Sequence, residues 1–335
     1  MTRLPAPPPG RPAEPAPTPA GLPLAGDALG DLPITDREFA RFRALVYERT
    51  GIALGPHKRH LLRARLGRRL RALGLATFSA YYDYLTHPAT GPEEMVAFIN
   101  AITTNKTDFF REPHHFAFLG GRWAEARRAE AERTGRRRLR LWSAACSSGE
   151  EAYTLAMVLS EARLVPPLWD TRILASDIDT EMLAQAAAGV YARERTHPVP
   201  PELRARYFVR RRDAEGDALG VRPELRALVT VRRINLAEPE WPIRTRFDVI
   251  LCRNALIYFD RPMQRRIVER LVALLGPGGL LVRGHAESLY GLVDGVVHLG
   301  QTIYARAADL DLIAAWPGPA PAAPRRGAVR TGGRA

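Results

Sequence analysis

Apolar residues recur at helical spacing through the first third of the chain. The run Thr35-Asp-Arg-Glu38 is typical of a helix N-terminus, because a hydroxyl and a carboxylate three residues apart can each bond the other's backbone. An apolar stripe follows, formed by Phe39, Phe42, Leu45 and Val46. A second stripe lies between Pro56 and Gly74 and consists of Leu62, Leu66, Leu70 and Leu73. With further helices predicted over 78–85 and 93–102, residues 31–118 are expected to form a small helical domain.

After residue 138, short apolar runs alternate with helical patterns. The alternation predicts a parallel sheet covered by helices, and therefore an α/β domain over 119–315. The predicted strands are 139–144, 172–176, 247–252 and 279–283, and the predicted helices are 150–163, 181–188 and 264–275. Residues 203–233 break this rhythm with strand-like runs at 206–209 and 229–233 around a polar loop. We expect a small antiparallel β insertion there.

The termini and the cysteines exclude several classes of protein. Residues 1–30 hold nine of the 28 prolines, and 316–335 is rich in Pro and Arg, so both are predicted to be disordered tails. Cys146 and Cys252 are the only cysteines, which argues against a disulfide scaffold or a metal site, and we expect both to be buried. No apolar run approaches the roughly 20 residues of a membrane helix, and no secretory signal is visible. We therefore expect a cytoplasmic protein that does not insert into membranes.

The charge of the chain is concentrated in one segment. The sequence holds 49 Lys+Arg and 36 Asp+Glu, a net charge of +13, which raises nucleic acid, a membrane surface or an acidic protein as partner. Residues 37–73 contain 11 Lys+Arg and two acids, a net charge of +9. On the predicted second helix, Arg65, Arg68 and Arg71 point away from the leucine stripe. We predict that these three arginines bind an acidic partner.

Small and acidic residues follow the first two predicted strands of the α/β domain. The first strand runs into a turn that ends in Gly149, Glu150 and Glu151, and the second ends in Asp177. Ligands of open α/β sheets bind at the carboxyl ends of the strands, and an acid about 30 residues after the first turn suits a ribose. Acids after the turn would repel a phosphate, so the pattern favours S-adenosylmethionine (SAM) over a dinucleotide. The alternative is that these acids only cap helix N-termini.

Four sequence strings occur in one order along the chain. They are Ile102-Thr-Thr-Asn-Lys-Thr-Asp-Phe-Phe-Arg111, Trp142-Ser-Ala-Ala-Cys-Ser-Ser-Gly-Glu-Glu151, Ala175-Ser-Asp-Ile-Asp179 and Cys252-Arg-Asn-Ala-Leu-Ile-Tyr-Phe259. Together they resemble the CheR family of chemotaxis receptor methyltransferases, over roughly 34–307. The resemblance implies a small helical N-terminal domain and a Rossmann-like SAM-dependent methyltransferase domain with a β insertion.

The resemblance also implies a reaction and a set of site residues. Family members transfer a methyl group from SAM to glutamate side chains on cytoplasmic helices of chemoreceptors, forming glutamyl methyl esters for sensory adaptation and S-adenosylhomocysteine (SAH) as product. By motif position, the expected cofactor contacts are Asn105, Thr107, Arg111, Glu151, Asp177, Asn235, Leu236, Arg253 and Asn254. Asp177 would bind the ribose hydroxyls, Glu151 would lie near the methionine end, and Arg111 and Tyr258 would lie beside the reacting methyl group.

The chemistry of such a reaction needs no general base. A glutamate with a pKa of about 4.3 is already ionised at neutral pH, so the enzyme has only to position it. Our hypothesis is that Arg111 and Tyr258 hold this carboxylate. Two alternatives stay open. A nucleic-acid methyltransferase would carry a motif such as Asn-Pro-Pro-Tyr where this chain has Arg253-Asn-Ala-Leu-Ile-Tyr-Phe259, and a cofactor-sensing adaptor would carry a damaged cofactor site.

The resemblance bears on partners as well. It implies an acidic protein substrate rather than nucleic acid, and we expect a monomer. Some relatives bind a short peptide at the receptor's C-terminus with the β insertion. The long charged loop over 210–220 leaves open whether this chain does so.

Overall fold

The computed structural model describes residues 32–213 and 216–316, with side chains up to 211 and from 216 onward. The predicted tails, 1–30 and all of 316–335 except Trp316, lie outside the described residues. Contacts divide the chain into two compact units: residues up to Phe42 with 55–102, and residues 43–54 with those from 103 onward. Throughout the described ranges, every helix is too short or too polar to cross a lipid bilayer.

The first unit is helical. Its helices are α1 (Asp36–Thr50, whose last residues belong to the second unit), α2 (Arg59–Leu73), α3 (Phe78–Thr86) and α4 (Gly91–Ile102), with a 3-10 turn at Pro56–Lys58. The capping box forms as predicted: Thr35 N donates to Glu38 Oε2 at 2.9 Å, and Glu38 N donates to Thr35 Oγ1 at 3.2 Å. Leu62, Leu66 and Leu70 are fully buried, as predicted for the stripe on α2, whereas the fourth leucine of the stripe, Leu73, is only half-buried at the end of the helix.

The second unit contains a seven-stranded sheet of order β6-β2-β1-β7-β8-β10-β9. Its strands are β1 (Arg138–Ala144), β2 (Asp170–Asp177), β6 (Val229–Arg233), β7 (Phe247–Cys252), β8 (Leu275–Arg283), β9 (Val296–Gly300) and β10 (Ile303–Arg306). The five strands from β6 to β8 are parallel, and β10 and β9 add to the edge in antiparallel fashion. Leu141 and Trp142 of β1 belong to separate hydrophobic clusters on opposite faces, so this central strand is buried on both sides.

Helices cover the sheet and connect its strands. They are α5 (Pro113–Phe118), α6 (Ala124–Thr134), α7 (Glu150–Glu161), α8 (Thr180–Ala188), α9 (Pro201–Tyr207), α10 (Pro223–Arg226), α11 (Arg261–Ala273) and α12 (Leu310–Ala314). A π-helical turn at Leu119–Trp123 joins α5 to α6, and 3-10 turns occur at Arg193–Thr196, Leu256–Tyr258 and Ala307–Asp309. The predicted alternation of strands and helices is confirmed.

The β insertion differs from its predicted extent of 203–233. Its three antiparallel strands, in the order β3-β5-β4, are β3 (Val190–Ala192), β4 (Phe208–Asp213) and β5 (Gly216–Val221). The run at 229–233, which we assigned to the insertion, is instead β6 of the main sheet and pairs in parallel with β2. An alternating pattern shows that a segment is a strand but not which strand it pairs with, since pairing depends on distant residues.

The boundary between the units also differs from the expected one. Residues 103–118, expected in the helical domain, belong to the second unit. Thr103 and Asn105 both donate to Asp179 Oδ2, at 2.6 and 2.7 Å, and Phe110 N donates to Thr154 Oγ1 at 3.2 Å. These bonds attach the segment to the N-cap residue of α8 and to the N-terminal half of α7.

Candidate functional site

An open cavity of about 880 Å³ lies within the second unit, at the carboxyl ends of the parallel strands. Residues that follow β1, β2, β6 and β7 line it, which is where the strand order of an open α/β sheet places a ligand. The cavity is also lined by every residue that the resemblance assigned to the cofactor and the reacting methyl group: Asn105, Thr107, Arg111, Glu151, Asp177, Asn235, Leu236, Arg253, Asn254 and Tyr258.

Asp177 ends β2 and is held by backbone groups. Its Oδ2 accepts a hydrogen bond from Ser147 N at 2.8 Å, and its Oδ1 accepts one from Asp179 N at 3.0 Å. Burial raises the pKa of this carboxyl group, and the two N–H groups partly oppose the rise. The oxygens keep lone pairs that can accept further hydrogen bonds from a ligand at the cavity wall.

Glu151, in the first turn of α7, is fixed from two sides. Its Oε1 accepts from the Ser143 hydroxyl at 2.7 Å, and its Oε2 accepts from Arg253 Nε at 2.6 Å. Neighbouring Glu150 is turned to other partners, the Ser148 hydroxyl and Arg195. The two consecutive acids therefore have separate roles, and only Glu151 lines the cavity.

Arg253, directly after β7, is buried, and its guanidinium is bonded to protein groups on all three nitrogens. Nε donates to Glu151, Nη2 donates to the Arg111 carbonyl at 2.7 Å, and Nη1 lies 2.8 Å from His115 Nδ1. Nη1 is also 3.5 Å from Glu112 Oε2. Burial opposes ionisation of Glu112, but the charge of Arg253 and nearby N–H groups outweigh it and lower the pKa of Glu112.

The segment before α5 forms one wall of the cavity. The Asn105 amide is directed to Asp179 rather than into the cavity, and the Ser147 hydroxyl donates to the Asn105 carbonyl at 3.0 Å. Arg111 Nη1 donates to the Lys106 carbonyl at 2.8 Å, so the two ends of this wall are tied together.

The opposite wall comes from the chain after β6 and β7. The Asn235 amide donates to the Arg49 carbonyl at 3.0 Å, and Leu236 beside it is buried. Asn254 has a φ of +57°, a left-handed conformation that Asn adopts more readily than most residues. The hydroxyl of Tyr258 forms no hydrogen bond to any described residue, so it is available to a ligand.

Three buried or half-buried residues of the site were missed by sequence reasoning. Glu287 accepts from the backbone N–H groups of Asn254, Leu256 and Gly284, at 2.7, 2.8 and 3.0 Å, and thereby shapes the loop after β7. Glu112 and His115 contact Arg253. The string Glu112-Pro-His-His115, with two titratable residue types directly after a site motif, was the available signal for the latter pair.

The three arginines predicted to bind substrate lie in the first unit and are not among the residues that line the cavity. Arg68 and Arg71 are exposed on α2, and neither guanidinium has a bonding partner among the described residues. Arg65 is half-buried and donates to the carbonyl of Ile102, the last residue of α4. Arg65 therefore differs from the other two, because part of its bonding capacity stabilises the unit.

The carboxylates that line the cavity suit a SAM-like ligand. Asp177 offers acceptors for a ribose diol, and Glu151 brings a second carboxylate to a cavity whose ligand would carry ammonium and sulfonium charges. The turn after β1 leads into Glu150 and Glu151, where a dinucleotide fold would place its pyrophosphate. The residues present therefore fit a positively charged nucleoside better than a phosphorylated one.

Comparisons with known proteins agree with this geometry. Residues 37–103 match the family model described as CheR methyltransferase, all-alpha domain, and residues 105–305 match CheR methyltransferase, SAM binding domain. The chain is 44% identical over 275 residues to chemotaxis protein methyltransferase 2 of Pseudomonas aeruginosa, covering 82% of this chain and 94% of that protein. It is 41% identical over 280 residues to the chemotaxis protein methyltransferase of Escherichia coli, covering 83% and 93%.

Proposed function

The chain belongs to the CheR methyltransferase family, and from this premise we propose that it methylates glutamate side chains on chemoreceptor helices. The product would be a glutamyl methyl ester that adjusts the receptor's signalling. The observation that carries the proposal is the single cavity lined by Glu151, Asp177, Arg111 and Tyr258. It brings residues for a cofactor and residues for a carboxylate substrate to one place.

SAM, when bound, supplies a methyl group on a positively charged sulfur. Asp177 would hold the ribose hydroxyls, because its carboxylate is already oriented by two backbone N–H groups. Glu151 would face the methionine end from the first turn of α7. Neither residue has to move a proton, since a substrate glutamate is ionised at neutral pH.

Arg111 and Tyr258 would position the substrate carboxylate. A guanidinium and a phenol hydroxyl both donate hydrogen bonds to a carboxylate, and the Tyr258 hydroxyl has no competing partner among the described residues. The reaction neutralises the carboxylate, so a cavity that excludes water favours it. The role of these residues is therefore orientation rather than acid–base chemistry.

We also propose that α2 of the first unit binds the substrate. Arg68 and Arg71 are exposed and lack acidic partners among the described residues, so they are suited to an acidic receptor helix. We also propose that the protein acts in the cytoplasm and as a monomer, since one chain provides the whole cavity wall. The edge strands β3 and β4 of the small sheet could accept a short receptor segment by strand addition.

A methyl-transfer assay tests the proposal. The protein is incubated with methyl-labelled SAM, membranes that contain chemoreceptors, and RNA as a competitor substrate. We expect label on a receptor band that is released as methanol by mild base, because esters are base-labile. Base-stable label, label on RNA, or cofactor binding without any transfer would contradict the proposal.

A further inference from the structure

Glu112, His114 and His115 form a cluster of metal-ligand residue types beside the cavity. Their ligand atoms lie within 4.8 Å of one another. However, Arg253 Nη1 lies 2.8 Å from His115 Nδ1 and 3.5 Å from Glu112 Oε2, in the place that a bound cation would need. The cluster therefore already binds a cation of the chain itself, a guanidinium.

We infer that His115 is a positioning residue for methyl transfer, which acts by holding Arg253 in the orientation that fixes Glu151 and Arg111. The inference rests on the proposed function for the roles of Glu151 and Arg111. The contacts that carry it belong to buried side chains of the second unit.

The partners of His115 determine its tautomer. Its Nε2 lies 2.7 Å from the Gln301 carbonyl oxygen, which can only accept, so Nε2 carries the hydrogen. Its Nδ1 lies 2.8 Å from Arg253 Nη1, which can only donate, and the acceptor Glu112 Oε2 is farther away at 3.5 Å, so Nδ1 is the acceptor. A neutral imidazole protonated on Nε2 satisfies both neighbours. The ring is fully buried, so no water can replace either bond.

The bond to His115 fixes the orientation of the Arg253 guanidinium, and this orientation determines which groups at the cavity its other nitrogens contact. With Nη1 held by His115, the planar guanidinium has Nε directed at Glu151 and Nη2 at the Arg111 carbonyl. One side chain thus connects the first turn of α7 to the segment before α5. If the acceptor at His115 were lost, a buried N–H group would lack a partner and the guanidinium would turn toward another.

Two isosteric substitutions separate the two bonds of His115. The amide of Asn reaches the position of Nδ1, whereas the amide of Gln reaches that of Nε2. H115N can therefore keep an acceptor for Arg253, while H115Q keeps a donor for Gln301. His197 is exposed in the second unit, and its side chain forms no hydrogen bond to a described residue, so H197Q is the control.

The experiment measures the dissociation constant of SAH by calorimetry, receptor methylation rates and thermal unfolding for each variant. We expect H115Q to weaken SAH binding about 10-fold or more, and to slow methylation at least as much, since a hydrogen bond to a charged group contributes about 1.5–3 kcal/mol. We expect H115N to stay within about threefold of the wild type, and H197Q to be unchanged.

A double-mutant cycle with R253M tests whether His115 affects SAH binding through Arg253. If His115 acts through Arg253, H115Q causes no further loss of SAH affinity in the R253M background. Additive losses, or a loss in H115N with none in H115Q, would overturn the inference, because His115 would then serve the Gln301 turn instead. SAH binding that follows the expected pattern in a protein that does not methylate receptors would overturn the proposed function and leave this inference in place.

Discussion

At the scale of single residues, Arg111 and Tyr258 are held in different ways at the cavity. Arg111 is tied to the Lys106 carbonyl, whereas the Tyr258 hydroxyl is without a partner among the described residues. Loss of Arg111 would therefore remove a bond within the cavity wall as well as the proposed contact to substrate. Loss of the Tyr258 hydroxyl would remove only the proposed contact to substrate.

We expect Y258F to lower kcat for receptor methylation about 10-fold or more, with SAH affinity within about twofold of the wild type. The reason is that one hydrogen bond to a charged carboxylate contributes about 1.5–3 kcal/mol. We expect R111A to lower kcat further and also to weaken SAH binding. Steady-state kinetics and calorimetry measure the two effects.

Tyr290 provides the control for Y258F, since its side chain is 84% exposed and does not line the cavity. Y290F should leave both kcat and SAH affinity unchanged. Equal activity of Y258F and wild type would show that Tyr258 does not hold the substrate.

A pH dependence of stability follows from His115. Burial and the charge of Arg253 lower its pKa from 6.5 to about 4. Between these values only the unfolded chain takes up the proton, so the stabilisation is present above pH 6.5 and is lost as the pH falls. The wild type should lose about 2 kcal/mol of unfolding free energy at pH 5 through this residue.

H115N has no imidazole and should show a smaller loss between pH 7 and pH 5, by about 2 kcal/mol. Urea unfolding at the two pH values measures the difference. Parallel pH curves for H115N and wild type would mean that His115 is not held neutral in the folded protein.

Residue types and spacing predicted those residues of the cavity that lie at the ends of strands. Asp177 and the pair Glu150 and Glu151 could be predicted because strand ends of an open sheet meet at one edge, and the family resemblance singled out Glu151 from the pair. Glu287 could not, since it lies in a loop and acts on backbone N–H groups that no sequence pattern reveals. Arg253 was expected to contact the cofactor, and nothing in its residue type indicated that Glu151, His115 and Arg111 would take up its donors.

At the scale of secondary structure, α2 buries leucine side chains and exposes arginine side chains to solvent. Leu62, Leu66 and Leu70 are buried, and Arg68 and Arg71 are exposed on the same helix. Arg65 donates to the end of α4, so reversing its charge would disturb the unit and obscure any effect on substrate. The pair Arg68 and Arg71 is therefore the sharper test of the predicted substrate surface.

We expect R68E/R71E to lower kcat/KM for receptor methylation about 10-fold or more at low salt, because two attractive contacts become repulsive. SAH affinity should stay at the wild-type value. The effect should shrink as salt is added, since the Debye length falls from about 10 Å at 0.1 M to about 3 Å at 1 M.

R133E/R137E makes the same change in net charge at two exposed positions outside α2 and serves as the control. It should leave kcat/KM within about twofold of the wild type. A similar loss in both double variants would indicate a response to total charge rather than a docking surface on α2.

Local patterns predicted most elements but not their partners. The helices α1 to α4 and the strands β1, β2, β7 and β8 lie where periodicity placed them, within a few residues. The edge strand β9, its neighbour β10 and the strands β3 and β5 of the small sheet were not predicted, because they are short and carry little alternation. Each is placed by the strand beside it: β10 pairs with β8, β9 with β10, β3 with β5, and β5 with β4.

At the scale of the whole molecule, the net charge of +13 no longer points equally to three partners. Membership of the CheR family favours an acidic protein as the partner of segment 37–73. We therefore expect methylation of receptors by the wild type to slow steadily as the ionic strength rises, while the affinity for SAH stays constant. A methylation rate that does not depend on salt would show that charge does not contribute to substrate binding.

The two native cysteines, finally, allow the rate of opening of the protein to be measured without introducing any new residue. Both are fully buried, and burial raises the pKa of Cys252 to about 12 and that of Cys146 well above its ordinary value. A thiol reagent can therefore react only when the surrounding structure opens. Because Cys146 lines the cavity and Cys252 does not, SAH should slow labelling of Cys146 more than that of Cys252, which would distinguish opening of the cavity from unfolding of the sheet.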